Sequence, residues 1–253
     1  MNSGIRLNKA LAAAGVCSRR KADELIAAGA VCVNGIVVDE LGQRVNPNAD
    51  SITVHGKPIV LPGDAGDGAE GQSHTYIMLH KPIQVVSTVK DPQSRPTVLD
   101  FLPEELRTRT RLYPVGRLDY FSEGLLLLTD DGELTNRLTH PRYHLAKRYQ
   151  ITLREQPGAH ALEIMQKGMT LKEGERLAPV DVEVREDSTL LLTLRQGVNR
   201  QIRRMCRDLG LTILTLRRIS LGPLLLGDLS KGACRHLLPE EVAALKRAVG
   251  LME

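Results

Sequence analysis

Residues 62–74, PGDAGDGAEGQSH, hold four glycines, three acids, no base and no side chain larger than histidine. A segment so poor in apolar area cannot bury enough surface to offset the entropy of ordering it. It reads as a flexible tether, and it dictates the rest: the 253-residue chain must build one core within residues 1–61 and another within residues 75–253. Apolar residues at 42% and charged residues at 25% suffice for both. No apolar run is long enough for a membrane span. The opening MNSGIRLNKALAAAG has no continuous apolar stretch, so a secretory signal is not expected. Cys17, Cys32, Cys206 and Cys234 form no Cys-x-x-Cys pair, which argues against zinc and a disulfide framework and fits a reducing cytoplasm.

In the shorter piece, Leu7, Leu11 and Ala14 fall on one helical stripe, and Gly15 is placed to end the helix in the left-handed conformation. Ser18 is placed as the N-cap of a second helix that passes Leu25 and Ile26 and stops at Gly29. Val31–Val33 and Ile36–Val38 then flank Asn34-Gly35, the dipeptide that best tolerates positive φ at both turn positions, so a hairpin is expected. A short strand follows near Ile52–Val54.

Charge is concentrated here. Arg6, Lys9, Arg19, Arg20 and Lys21 occur within the first 21 residues with no acid among them. A solvated helix surface would explain a bare cluster. Ser18-Arg19-Arg20 at a helix start points further, because exposed amides and the helix dipole favour phosphate there. The whole stretch RLNKALAAAGVCSRRKADELIAAGAVCVNGIVV resembles an S4 domain, a small RNA-binding module, over about residues 5–60. The resemblance makes Arg6, Lys9, Ser18, Arg19, Arg20 and Lys21 candidate RNA contacts.

The longer piece is mixed. Tyr76–His80, Leu125–Thr129, Tyr149–Leu153, Val180–Arg185 and Leu190–Arg195 read as strands, and Ala161–Lys167, Asn199–Leu209 and Glu240–Ala248 as helices. Strands and helices do not alternate regularly and G-x-G-x-x-G is absent, so the fold is expected to be α+β with a largely antiparallel sheet.

Metal chemistry fails on spacing, since Pro141 breaks any helix that would align His140 with His144. Neither G-x-S-x-G nor G-x-x-x-x-G-K-[ST] occurs. The unusual segment is Val115-Gly116-Arg117-Leu118-Asp119-Tyr120-Phe121-Ser122-Glu123-Gly124, which feeds the apolar run Leu125–Leu128. A strand that apolar must be buried on both faces, so a carboxylate on its loop is rigidly placed. By itself Asp119 reads as an Asx-turn residue, and composition alone does not overturn that.

GRLDYFSEGLLLLTDDGEL closely resembles the signature of pseudouridine synthases of the RsuA type. Lys81-Pro82, Lys147-Arg148-Tyr149 and Gly197–Met205 follow the family's motif order, behind the family's S4 module. Tyr120-Phe121 replace a commoner small or polar pair. The resemblance implies isomerisation of a uridine in RNA to its C-glycoside: C1′–N1 breaks, the uracil turns, and C5 joins C1′. No cofactor or metal is implied. Asp119 would act on the sugar, through a covalent adduct at C1′ or by removing a sugar proton. Arg203 would pair with Asp119, keeping it ionised and oriented. Tyr149 would lie against the target uracil. Arg117 would fill the space left when the uridine flips out.

Arg200, Arg203, Arg204 and Arg207 recur at helical spacing on one face, and residues 195–218 hold seven Arg against one acid. Such a stripe suits phosphate, so Arg200, Arg204 and Arg207 join the RNA-contact candidates. Two other readings are weighed. A non-catalytic S4-type ribosome-assembly protein predicts a degraded catalytic set, whereas Asp119, Tyr149 and Arg203 are intact. A glycosidase needs a second carboxylate, for which Glu123 is the candidate. Asp91-Pro92 with Arg95-Pro96-Thr97-Val98 resembles a stretch of the branch that modifies large-subunit (23S) rRNA, with the small-subunit (16S) branch as the alternative. The expected partner is therefore ribosomal RNA, in a hairpin or pre-ribosomal particle, met by a cytoplasmic monomer.

Overall fold

A computed structural model describes residues 4–61 and 74–252, in two compact units divided after Ser73. The tether expected over 62–74 lies outside the described residues except for His74.

In the first unit the helix Leu7–Ala13 buries Leu7, Ala10 and Leu11. Ser18 caps the helix Arg19–Ala27 by accepting the Lys21 N–H at 3.1 Å. Val31–Val33 and Ile36–Val38 pair across Asn34-Gly35, whose φ angles of 52° and 79° are those the hairpin turn needs. The four-stranded sheet runs Ile36–Val38, Val31–Val33, Ile52–Val54, Lys57–Ile59, all antiparallel. Both helices close over it through Leu7, Leu11, Ile26, Val31 and Ile52.

The second unit is α+β, as the sequence predicts. Its main sheet runs Asp181–Val184, Thr189–Leu194, Lys147–Leu153, Ile213–Leu221, Glu123–Thr129, Tyr76–Lys81, Cys234–His236. Every neighbouring pair is antiparallel except Ile213–Leu221 with Glu123–Thr129. Leu125–Leu128 are wholly buried, because alternate residues enter different cores. Leu125 and Leu127 pack with Leu134, Leu138 and Leu245. Leu126 and Leu128 pack with Ile77, Leu79 and Leu118. Both faces of the strand are covered, which is what four consecutive leucines require.

The parallel seam consists of two pairs, Arg217 with Glu123 and Arg218 with Gly124. Gly124 has φ +109°, and a Cβ there would sit 2.2 Å from the Arg218 carbonyl oxygen. Only glycine lets the two strands approach this closely. The loop that carries Asp119 thus enters the sheet at its tightest joint. No helix is long and apolar enough to cross a membrane, and among the described residues no three His, Cys, Asp or Glu side chains cluster to hold a metal.

Candidate active site

Residues 115–122 form a loop gripped from beneath. Lys81, at the end of the Tyr76–Lys81 strand, is fully buried. Its ammonium donates to the carbonyls of Pro82 at 2.9 Å, Asp119 at 3.1 Å and Ser122 at 2.8 Å. Burial pushes the Lys81 pKa down to about 8, although the charges of Asp119 and Glu123 oppose the shift. Ser87 brackets Leu118, donating from Oγ to its carbonyl at 2.8 Å and accepting its N–H at 3.1 Å. The Gln84 N–H donates to the Tyr120 carbonyl at 2.6 Å, and Ser122 N–H closes the turn onto the Asp119 carbonyl at 3.0 Å. The Asp119 backbone is therefore held by groups from two other segments, and its half-exposed side chain faces a cavity of about 730 Å³.

Arg117, Tyr149, Arg200, Arg203 and Arg218 line that cavity with Asp119. Tyr149 is half-buried on Lys147–Leu153, opposite Leu192 on one side and Arg218 on the other. The expected Arg203–Asp119 ion pair is absent. Arg203 Nη2 instead donates to the Phe121 carbonyl at 2.7 Å and to Ser122 Oγ at 3.3 Å. It is the loop backbone, two residues beyond Asp119, that the guanidinium reaches. Burial lowers the Arg203 pKa and the Asp119 charge opposes this, so the two groups sense each other without direct contact.

The arginine stripe is also corrected. Arg204 pairs with Glu175 at 2.6 Å and Glu173 at 3.2 Å, and Arg207 with Glu173 and Asp208, each at 2.6 Å. The acids missing from the local sequence arrive from residues 173–175, so Arg204 and Arg207 are not unpartnered phosphate contacts. Arg200 and Arg203 turn to the cavity. Arg200 is exposed, at the N-cap of the helix Gln201–Asp208. Arg117 is exposed on the loop.

In the first unit Arg6, Lys9, Ser18, Arg19, Arg20 and Lys21 are all exposed. Ser18 spends its oxygen on the helix cap, and Lys21 pairs with Glu24 at 2.8 Å. Arg6, Lys9, Arg19 and Arg20 remain as cations without an ion pair among the described residues. Glu123, the candidate second carboxylate of a glycosidase, is bound by Lys231 at 2.6 Å and does not line the cavity, which removes that reading.

Three basic groups are given no role by the sequence. Lys81 and Lys147 stand in family motifs, Lys81-Pro82 and Lys147-Arg148-Tyr149, but nothing local marks either as buried. Lys147 lines the cavity and donates to the Leu145 carbonyl at 3.1 Å, with its pKa lowered by burial and by Arg218. Arg218 is 3% exposed; its Nε donates to the Leu125 carbonyl at 2.8 Å, and its Nη2 has no partner among the described residues.

Comparison with known proteins places this geometry in context. The profile of RNA pseudouridylate synthases matches residues 75–208, and the S4 domain profile matches residues 5–51. An RNA pseudouridine synthase of Aquifex aeolicus is 40% identical, over 98% of this chain and 96% of its own. The ribosomal large subunit pseudouridine synthase B of Bacillus subtilis is 39% identical, over 95% of each. A crystal structure of a pseudouridylate synthase superposes with a TM-score of 0.67 at 28% identity, covering 95% of this chain and 99% of that one.

Proposed function

Because the chain belongs to the RNA pseudouridylate synthase family, we propose that it isomerises a uridine of large-subunit (23S) ribosomal RNA, using Asp119 on the sugar and no cofactor. The observation that carries the reading is the fixed loop. Lys81, Gln84, Ser87 and Arg203 hold its backbone, so the one carboxylate of the cavity meets its substrate without reorganising. The name of the Bacillus subtilis relative supports the large subunit as substrate, as does the DP-x-x-RPTV stretch.

The reaction needs no outside atoms. The C1′–N1 bond breaks with Asp119 at the sugar, either bonded to C1′ or having taken a sugar proton. The freed uracil turns on Tyr149, whose ring offers it a face. C5 bonds to C1′ as the Asp119–C1′ bond breaks or, on the other route, as Asp119 returns the sugar proton. C5 then loses its proton while N1 gains one, so the carboxylate is regenerated and the product is an isomer. The target must leave its stack to reach the cavity, and Arg117 on the rim is placed to fill the gap. Arg203 acts as a positioning residue, fixing the turn that follows Asp119. Arg6, Lys9, Arg19 and Arg20 of the S4 domain supply phosphate contacts, assisted by Arg200. A protein working on ribosomal RNA belongs in the cytoplasm, as a monomer in this reading.

Pseudouridine mapping in rRNA from cells with and without the protein tests the proposal. One large-subunit site should vanish without it; a lost small-subunit site would redirect the substrate, and an unchanged map would refute the function.

A further inference from the structure

A second, smaller cavity of about 350 Å³ adjoins the larger one, sharing Arg117, Leu118 and Asp119 with it. The 86–95 segment also lines it and includes the start of the DP-x-x-RPTV stretch; beyond Ser87 the proposed chemistry leaves this segment unused. The cavity wall carries two flat groups, Arg95 and Tyr120. Arg95 donates from Nε and Nη2 to the two oxygens of Asp91 at 3.0 and 2.8 Å. Its guanidinium carbon lies 5.9 Å from the centre of the Tyr120 ring. Tyr120 in turn is braced edge-on by Phe121, with centroids 5.0 Å apart. Asp91 neutralises Arg95, so this arginine offers a flat face rather than a free charge. Free charge comes from exposed Lys90, which has no ion pair among the described residues.

Flat faces beside an unpaired cation are the chemistry of a nucleotide site, since bases stack on aromatic and guanidinium planes while phosphates take cations. The volume suits a single small ligand. A catalytic cavity that accepts uridine cannot by itself distinguish one uridine from another. A strand whose target nucleotide enters the larger cavity also carries its covalent neighbour across the rim at Asp119.

We propose that the smaller cavity holds the nucleotide adjoining the target uridine, with its base against Arg95 and Tyr120 and its phosphate on Lys90. This rests on the pseudouridine synthase reading and deepens it, by assigning sequence discrimination to the cavity that adjoins the catalytic one. Tyr120 and Phe121, two of only seven aromatic residues in the chain, then have a use that the small or polar pair commoner in the family does not provide.

The test uses the full-length protein and, once its uridine is mapped in rRNA transcripts, a synthetic RNA spanning that site with an abasic nucleotide at either neighbour. For the wild type, one abasic position should lower kcat/KM about tenfold, the loss of one stacked base. Arg95→Ala and Tyr120→Leu should lose a similar factor on intact RNA, mainly through KM, and the abasic position should cost them less than about twofold more. Tyr120→Phe should keep wild-type sensitivity. Melting curves separate these effects from misfolding, and exposed Arg95 provides a variant that leaves both cores untouched. Equal abasic penalties in wild type and Arg95→Ala would overturn the proposal, as would a wild type indifferent to both neighbours. A wild type that forms no pseudouridine in either subunit's rRNA would overturn the underlying function instead.

Discussion

The buried ammonium of Lys81 lies 3.1 Å from the backbone carbonyl of Asp119, so the carboxylate proposed to act on the sugar stands on a charge hidden beneath it. Both remaining Lys81 hydrogen bonds also go to carbonyls, of Pro82 and Ser122. The loop is held through its backbone, leaving the Asp119 side chain free for substrate.

Lys81→Met keeps most of the volume and removes every donor. Three carbonyls lose their partner, so a stability loss of about 2–4 kcal/mol is expected in urea titrations, together with a fall in turnover larger than that in RNA affinity. Unchanged turnover in the folded variant would show that the loop does not depend on this lysine.

The same group predicts a pH dependence. The Lys81 pKa falls from 10.5 to about 8 on folding because burial disfavours the charge. Between those values the unfolded chain binds the extra proton, so this group makes stability rise from pH 8 towards 10.5. Turnover should run the other way, declining through pH 8 as the ammonium loses a donor. The stability of wild type relative to Lys81→Met should therefore rise from about pH 8 to 10 while wild-type turnover falls; a stability difference that falls together with turnover would contradict the assignment to Lys81.

Gly124→Ala places a methyl 2.2 Å from the Arg218 carbonyl oxygen and 2.6 Å from its nitrogen, both backbone atoms. The parallel seam must open, and a loss above about 3 kcal/mol or failure to fold is expected. Gly116→Ala, whose new Cβ would be 3.8 Å from its nearest neighbour, carries only the conformational penalty, about 1 kcal/mol. Denaturant midpoints of the two variants check the contrast.

Much of this architecture is legible in the sequence because its signals are local. The Asn34-Gly35 turn, the Ser18 cap and the leucine run of 125–128 each state their geometry within a few residues. The strand Ile213–Leu221, central to the sheet, escapes because Arg217-Arg218 interrupt its apolar pattern, and Arg218 is buried by a bond to the Leu125 carbonyl 93 residues away. The acids that neutralise Arg204 lie 29 and 31 residues upstream, so a stripe that looks unpaired in sequence is paired in space. Lys81 is opaque for a related reason: its partners are carbonyls, which every residue has.

Those pairings separate the arginines. Arg200→Ala should lower the salt slope of RNA binding by roughly one counterion, as expected for a lost phosphate contact. Arg204→Ala should leave the slope nearly unchanged and lower stability slightly, since its side chain bridges Glu173 and Glu175. Isotherms at several salt concentrations distinguish the two. A full unit of slope lost with Arg204→Ala would mean that RNA displaces the acids.

The proposed role of Asp119 in the chemistry is decided by single-turnover pseudouridine formation in 23S rRNA with wild-type and Asp119→Asn protein side by side. The amide keeps the shape of the side chain and the backbone bonds of the loop but removes the charge. RNA affinity should stay within about twofold of wild type, with no pseudouridine above the enzyme-free control. Product above that control with the folded Asp119→Asn protein would contradict that role.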